Sequence, residues 1–546
     1  MAESHSNPVK AVTSTTDDWL KNNYDYLWGY VAERMDVRKT MYDPCPPGYR
    51  VSDSHTFQNI TGNVVEGTYG KTYKIGEYDI YFPNAENGYP ELYSATPDSE
   101  GNSYAYKLDG SFSAVSAKRK EKMNVRCVAE NSRPDVHNLD ENQSANCHLI
   151  TEPGYYRFDA KTLGNGVRGF NVVTSQGNIS PVRIDNSYNP LPVVRVEVLA
   201  WQGDITTGSN FRSFAEGNPS SEEIEEACPV RVLDNGKLTD GNAYYFISND
   251  TFAAGNVILA GYNTNNQIVW SWHLWMVPGG VGEEKWGNYM VLDRNVGATW
   301  RPSAPGEVND GNYRASVGFY YQWGRKDPFP MPKDDSNVLY VPVFVKTIDG
   351  NWSRQVNLQS QEARTIDESV GAPLAYFKKN TAAEANGNYW QTSWCDVNGA
   401  NRNLPLRNIW GYTGVEGAVG NTFVKTMWDP CPAGYKVGSH EVVFGWNVGA
   451  NTNNRQGIQA SSTSWEYGIF YEGTDKKWLP KSGRINENGG LKRPKTNVGY
   501  LNSSCPFANG SVYRGMYYYV QYGKYYIGQS QNSNECYAVP VRCVRE

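Results

Sequence analysis

Apolar and polar residues alternate along much of this chain in short runs. Val193-Val194-Arg195-Val196-Glu197-Val198-Leu199, Asn256-Val257-Ile258-Leu259-Ala260 and Ile268-Val269-Trp270-Ser271-Trp272-His273-Leu274-Trp275 have the length and period of strands, whose successive side chains point to opposite faces. Turn-favouring residues interrupt the pattern about every 8 to 12 residues, a spacing that suits short strands rather than long helices. The last run leads without a flexible linker into the C-terminal half of the chain. Composition agrees, since 53 Gly, 29 Pro and 13% aromatic residues among 546 fit many turns and few helices.

The two ends of the chain carry a repeat. Leu27-Trp28-Gly29-Tyr30 recurs as Ile409-Trp410-Gly411-Tyr412, and Lys39-Thr40-Met41-Tyr42-Asp43-Pro44-Cys45-Pro46-Pro47-Gly48-Tyr49-Arg50-Val51 returns as Lys425-Thr426-Met427-Trp428-Asp429-Pro430-Cys431-Pro432-Ala433-Gly434-Tyr435-Lys436-Val437. The copies close alike, on Val125-Arg126-Cys127-Val128 with Glu130 and on Val541-Arg542-Cys543-Val544 with Glu546. Two cysteines bracket each copy, so Cys45 is expected to pair with Cys127 and Cys431 with Cys543. Each bond closes a loop long enough to contribute about 4.5 to 5 kcal/mol on the chain-entropy model.

The copies are unequal. Leu292-Asp293-Arg294-Asn295-Val296-Gly297-Ala298 and Gly318-Phe319-Tyr320-Tyr321-Gln322-Trp323-Gly324-Arg325 precede the shared block of the second copy and have no counterpart in the first. The first is therefore read as only the C-terminal half of the repeat, a truncation product or a domain completed by another chain, its open strand edges covered by a neighbour. A chain this long exceeds one hydrophobic core. The repeat divides it into 1–134, 135–277 and 278–546, and the alternation in the middle segment predicts an Ig-like β-sandwich.

Charge and cysteine usage narrow the function classes. A net charge of −6 without any Lys/Arg block argues against nucleic acid or anionic lipid as partners. No apolar run reaches the roughly 18 residues of a membrane helix, and Met1 to Trp19 is polar, so neither membrane insertion nor a secretion signal is expected. The nine cysteines form no CxxC pairs, which favours disulfides over zinc. That implies an oxidising compartment, to be reconciled with the polar start if the sequence is a mature or excised fragment or a phage protein.

These motifs together resemble the Fibrobacter succinogenes major paralogous domain. The resemblance rests on the Leu-Asp-Arg-Asn element at 292–295, the run Tyr320 to Phe329, the Asp-Pro-Cys-Pro-Ala-Gly-Tyr block and the closing Val-Arg-Cys-Val, in that order. It covers about 275–546 fully and 20–130 in part. The family is common in surface proteins of Bacteroidetes and is similar to the C-type-lectin-like fold. The middle segment, with Ala145-Asn146-Cys147-His148-Leu149-Ile150 before Pro153-Gly154-Tyr155-Tyr156, resembles the sandwich of fimbrillin-like tip proteins. The resemblance implies an α+β, mostly β protein: a partial lectin-like domain, an Ig-like sandwich and a complete C-terminal lectin-like domain. It also implies adhesion at a cell surface or fimbrial tip, with a glycan or protein receptor on another cell as partner.

In a lectin-like fold the last strands and the loops before them form the usual ligand face. Here Tyr500 to Tyr537 holds nine tyrosines among many Asn, Gln and Ser, residues that combine contact area with adaptable hydrogen bonding. The expected contacts are Tyr500, Asn502, Tyr513, Arg514, Tyr518, Tyr522, Tyr526, Gln529, Gln531, Asn532, Asn534 and Tyr537. The alternative is that Tyr serves only as a good strand former. The first copy's equivalent stretch, Tyr93 to Lys122, is much poorer in Tyr, so the shared fold does not require them. Adenine-directed diversification by a retroelement would produce such a Tyr/Asn/Ser-rich face. Cys505 and Cys536 have no counterpart in the first copy; they are read as a disulfide pinning this face, against two free or differently paired thiols. Cys147 with Cys228 is a further candidate pair, leaving Cys395 over.

Other chemistry finds little support. The calcium-dependent sugar tripeptides of lectins are missing: Glu152-Pro153-Gly154 lies in the middle segment and Trp446-Asn447-Val448 lacks a final acid. No metal or cofactor is expected. His273 sits in an aromatic strand and reads as a satisfied core residue, His440 lies on a turn, and no hydrolase, zincin, nucleotide or dinucleotide motif occurs. Cys505 and Cys536 imitate the paired thiols of formylglycine-generating oxidases, but no neighbouring cations would activate them. Asp293, Arg294, Arg325 and Asp327 read as structural pairs or loop ties, with ligand contacts as the alternative. The expectation is a non-enzymatic adhesin. A phage receptor-binding protein of the virion, contacting tail proteins, and a structural pilus subunit contacting other subunits are the alternatives.

Overall fold

The three alternating runs become the strands Arg195–Gln202, Gly255–Tyr262 and Ile268–Met276 in a computed structural model that is mainly β. It describes most of residues 137–378 and, elsewhere, shorter segments; 1–27, 54–63, 379–408, 412–424, 443–461, 522–525 and 530–536 are among the stretches outside the described residues. Two units result, Met1–Val136 and His137–Glu546.

In the second unit the three strands lie side by side in a six-stranded sheet, extended at one edge by Cys147–Ile150, which pairs parallel, and at the other by Val343–Lys346 and Trp352–Gln355, which pair antiparallel. Gly154–Asp159 and Asn242–Ile247 belong to a four-stranded sheet facing it. Asn242–Ile247 buries every second residue, as a strand with one wet face does, whereas Gly255–Tyr262 and Ile268–Met276 are buried almost throughout. One face of the larger sheet meets the smaller, with the Phe158 and Trp272 rings 4.9 Å apart.

The other face is covered by chain beyond residue 292. His273 meets Phe319 at 5.3 Å, Ser271 donates to Asp327 at 2.6 Å, and Trp275 Nε1 donates to the Ala298 carbonyl at 3.1 Å. One core runs from Cys147 through Trp272 to Trp428 and Cys543. The expected boundary at 277 therefore falls inside a continuous sheet and core.

The repeat reappears as geometry. Proline at 44 and 430 has no N–H to offer, so the preceding aspartate reaches the next donor. Asp43 accepts from the amides of Cys45 at 2.8 Å and Val51 at 2.9 Å; Asp429 accepts from those of Cys431 at 2.7 Å and Val437 at 2.9 Å. Tyr49–Val51 pairs antiparallel with Cys127–Ala129, and Tyr435–Val437 with Cys543–Arg545, in the same register. Both expected disulfides are present, with Cα atoms 5.7 Å apart in Cys45–Cys127 and 5.9 Å in Cys431–Cys543.

A three-stranded meander also recurs, Val64–Gly67, Gly70–Ile75 and Tyr78–Pro83 in the first copy and Ser462–Ser464, Gly468–Tyr471 and Lys477–Pro480 in the second. Gly70 pairs with Pro83 as Gly468 pairs with Pro480. A Cβ on Gly70 would lie 2.4 Å from the Phe82 carbonyl oxygen and one on Gly468 2.8 Å from that of Leu479, so both positions require glycine.

Burial pushes the Asp429 carboxyl up to about 6, while Lys425 and the two amides hold it down. Asp429→Ala should orphan two buried donors and lower the unfolding free energy by about 2 to 5 kcal/mol. Asp429→Asn, which keeps one acceptor, should cost about half as much in the same equilibrium denaturation experiment.

Candidate binding site

The Tyr-rich segment forms a ribbon of three antiparallel strands, Val498–Asn509, Val512–Gln521 and Tyr526–Gln529. Asn502 lies opposite Tyr517 but Pro506 opposite Gly515, so the first strand carries a bulge of two extra residues. Around it the ribbon is rooted in the body. Tyr500, Leu501, Asn502, Ser503 and Ser504 are all buried. Asn502 Nδ2 donates to the carbonyls of Tyr321 at 2.8 Å and Val539 at 3.0 Å, Trp323 Nε1 donates to that of Ser503 at 2.9 Å, and the Ser504 amide donates to Gly438 at 2.9 Å.

The first copy builds the same root. Leu92–Pro97, Tyr104–Leu108 and Ala114–Lys118 form its ribbon, with Leu92 to Thr96 buried and the Ala95 amide donating to Ser52 at 2.9 Å. Tyr93 lies opposite Lys107 and Pro97 opposite Ala105, which is the same bulge. Superposed by register, Leu92, Ser94 and Pro97 coincide with Leu501, Ser503 and Pro506. This repeated Leu-x-Ser-x-x-Pro pattern was the available sequence signal for the anchors Ser503 and Ser504, which sequence reasoning missed.

Beyond the root the copies diverge. In the first, Leu108 pairs with Ala114 across five residues; in the second, the equivalent Tyr518 pairs with Gln529 across ten. The longer hairpin continues its ladder through Tyr519 opposite Gly528, Val520 opposite Ile527 and Gln521 opposite Tyr526. At shared positions Lys107, Leu108 and Ala114 give way to Tyr517, Tyr518 and Gln529. The extension therefore adds a Tyr-rich hairpin to a framework common to both copies.

Two expected contacts are corrected. Tyr500 and Asn502, 4% and 5% exposed, are anchors of the root rather than members of a ligand face. Tyr537 packs beside Tyr500 and Val539, with the Arg484 guanidinium 4.3 Å over its ring, and belongs to the same root. Tyr513, Arg514, Tyr518, Tyr526 and Gln529 occupy strand positions of the ribbon. Tyr522, Gln531, Asn532 and Asn534 lie outside the described residues, as do Cys395, His440 and the expected Cys505–Cys536 pairing through Cys536.

The remaining candidate chemistry is enclosed. Cys147 Sγ is 3.5 Å from His273 Nδ1, and His273 Nε2 is 2.8 Å from Asn256 Oδ1. This has the order of a nucleophilic triad, yet all three residues are 3% exposed or less. Burial pushes the Cys147 thiol up and both His148 and His273 down to about 3, so thiol and imidazole are neutral partners. Cys147 and Cys228 are buried free thiols, which corrects their pairing with each other. Cys228 Sγ lies 3.5 Å from the Val230 carbonyl, and burial pushes it up to about 11.

Arg325 is a loop tie. It donates to the carbonyls of Ala375 at 2.6 Å and Ala372 at 2.9 Å and faces Asp327 at 3.4 Å. Asp293 is paired by Arg294 at 2.7 Å and by Arg301 at 3.6 Å. Among the described residues no cluster of three His, Cys, Asp or Glu is placed to hold a metal ion, and no helix is long and apolar enough to cross a membrane. No protein-family model matches the chain, and neither a curated protein nor a solved structure matches it.

Cys147 and Cys228 should resist iodoacetamide in the native protein and be alkylated only after unfolding, as read by peptide mass mapping. Because folding holds His273 well below the ordinary 6.5, its contribution to stability is complete above about pH 6.5 and is lost as the pH falls toward 3. Urea unfolding between pH 4.5 and 6 should therefore show a slope about 1.4 kcal/mol per pH unit shallower in His273→Gln than in the wild type.

Proposed function

We propose that this chain is a surface-displayed, non-catalytic binding protein, an adhesin or fimbrial-tip protein that engages a glycan or protein receptor through its C-terminal ribbon. In this reading the second copy is a complete C-type-lectin-like domain, the facing sheets before it are an Ig-like sandwich, and the first copy is a partial lectin-like domain. One observation carries it. Both copies root a bulged ribbon through the same positions, but only the second lengthens the hairpin and fills it with tyrosine. Constant framework beside divergent Tyr-rich content is the division of labour found in paratopes, where aromatic residues give contact at low entropic cost. Retroelement diversification would act on that content and leave the buried root untouched.

Screening the full chain on glycan and protein arrays should yield a ligand. The double variant Tyr518→Ala/Tyr526→Ala should weaken its binding at least tenfold, roughly 1.4 kcal/mol, while the thermal midpoint stays within about 3 °C. Undiminished binding by the double variant would exclude the ribbon as the contact surface.

A further inference from the structure

The two copies differ at a second place, the edge of the closing strand. In the second copy Cys543–Arg545 is held on both sides, by Tyr435–Val437 and by Tyr289–Leu292, with Val291 opposite Val544. In the first, Cys127–Ala129 pairs among the described residues with Tyr49–Val51 alone. Register makes Arg126 and Val128 the equivalents of Arg542 and Val544, and it makes Tyr81 the equivalent of Trp478.

Arg542 makes four hydrogen bonds. It donates to the Trp478 carbonyl at 3.1 Å, Glu284 Oε1 at 3.0 Å, the Leu292 carbonyl at 3.2 Å and Asn295 Oδ1 at 2.9 Å. The first acceptor belongs to the half that both copies share; the other three belong to the hairpin of Glu283–Trp286 and Tyr289–Leu292 and the turn after it. Arg126 keeps the shared bond, to the Tyr81 carbonyl at 3.1 Å, and lies 5.1 Å over the Phe82 ring. The three further acceptors have no counterpart among the described residues.

Burial differs in the same direction. Arg542, Cys543, Val544 and Trp478 are 3%, 0%, 2% and 1% exposed. Arg126, Cys127 and Val128 are only half-buried, and Tyr81 is 48% exposed.

We infer that the first copy is a docking site for a β-hairpin of another polypeptide, one strand of which pairs with the outer edge of Cys127–Ala129 while a carboxylate reaches Arg126. The edge selects an extended backbone, and the Arg126 guanidinium, exposed at its bond to the Tyr81 carbonyl, selects a carboxylate through charge-assisted hydrogen bonds. The second copy supplies the pattern of the occupant: an acid at the position of Glu284, a strand ending at that of Leu292, and an amide at that of Asn295. An aromatic at the position of Trp286, whose ring lies 5.4 Å from the Arg542 guanidinium, completes it.

The probe is a fluorescent synthetic peptide spanning Gly282 to Ala298 of this same chain, titrated into the full chain and followed by anisotropy and hydrogen exchange. It should bind saturably, slow amide exchange at Cys127 and Ala129, whose N–H groups face away from Tyr49–Val51, and lose at least tenfold in affinity with Arg126→Ala in the protein or with Glu284→Gln in the peptide. The peptide variant reads the contact even if Arg126→Ala perturbs folding. Absence of binding, or binding that neither substitution weakens, would overturn the inference. Binding that develops only after residues 1–27 are removed would identify the chain's own N-terminal segment as the occupant and overturn docking by another polypeptide.

Discussion

In each copy one aspartate, placed between a turn and a strand, gathers the amide of the cysteine two residues on and that of the strand residue eight residues on. Burying a carboxylate is costly unless its lone pairs are filled, and this geometry fills both oxygens from the backbone. In the second copy Lys425 adds a neighbouring charge and spends its own donors on the carbonyls of Cys431 and Pro432 at 3.0 and 2.6 Å. The clamp sets the cysteine at bridging distance from the closing strand and the following strand in register with it. Everything downstream depends on that strand: Arg542 draws in the 284–295 segment, and the Val539 carbonyl receives Asn502 at the root of the ribbon.

The ribbon is the point where this constraint permits variation. Its root is fixed by hydrogen bonds to the body, so where the bulge breaks the ladder the Ser503 carbonyl and the Ser504 amide are paired with Trp323 and Gly438 rather than orphaned. Beyond the bulge the strands support one another through their own ladder. Length and side-chain content can then change without disturbing the core, and between the two copies both have changed. The closing strand of the first copy differs in the same way, since among the described residues Cys127–Ala129 pairs with Tyr49–Val51 alone, whereas Cys543–Arg545 is paired on both sides.

Much of the fold is legible in the sequence. Alternation locates the strands around 195–202, 255–262 and 268–276, and the bracketing cysteines identify both disulfides. The absence of a linker after Trp275 shows that the middle segment is continuous with the C-terminal half, but nothing local shows that its sheet recruits Val343–Lys346, since such pairing is non-local. Tyr500 and Asn502 are misassigned from composition because it does not separate a polar side chain that meets solvent from one that satisfies a buried carbonyl. Cys147 and Cys228 defeat counting for a related reason: a buried thiol beside His273 or a carbonyl is content without a partner sulfur. Asp293 and Arg325 are readable as structural because charges within aromatic runs survive only when paired.

Exchanging one hairpin for the other tests the separability of root and hairpin directly. Tyr518–Gln529 would be replaced by the shorter Leu108–Ala114 of the first copy, and the chimera compared with the parent for both disulfides, thermal midpoint and binding on the same glycan and protein arrays. The predicted result is a folded chimera with both disulfides formed and receptor binding abolished. A chimera that fails to fold, or one that binds as the parent does, would contradict the division between a constant root and a ligand-contacting hairpin.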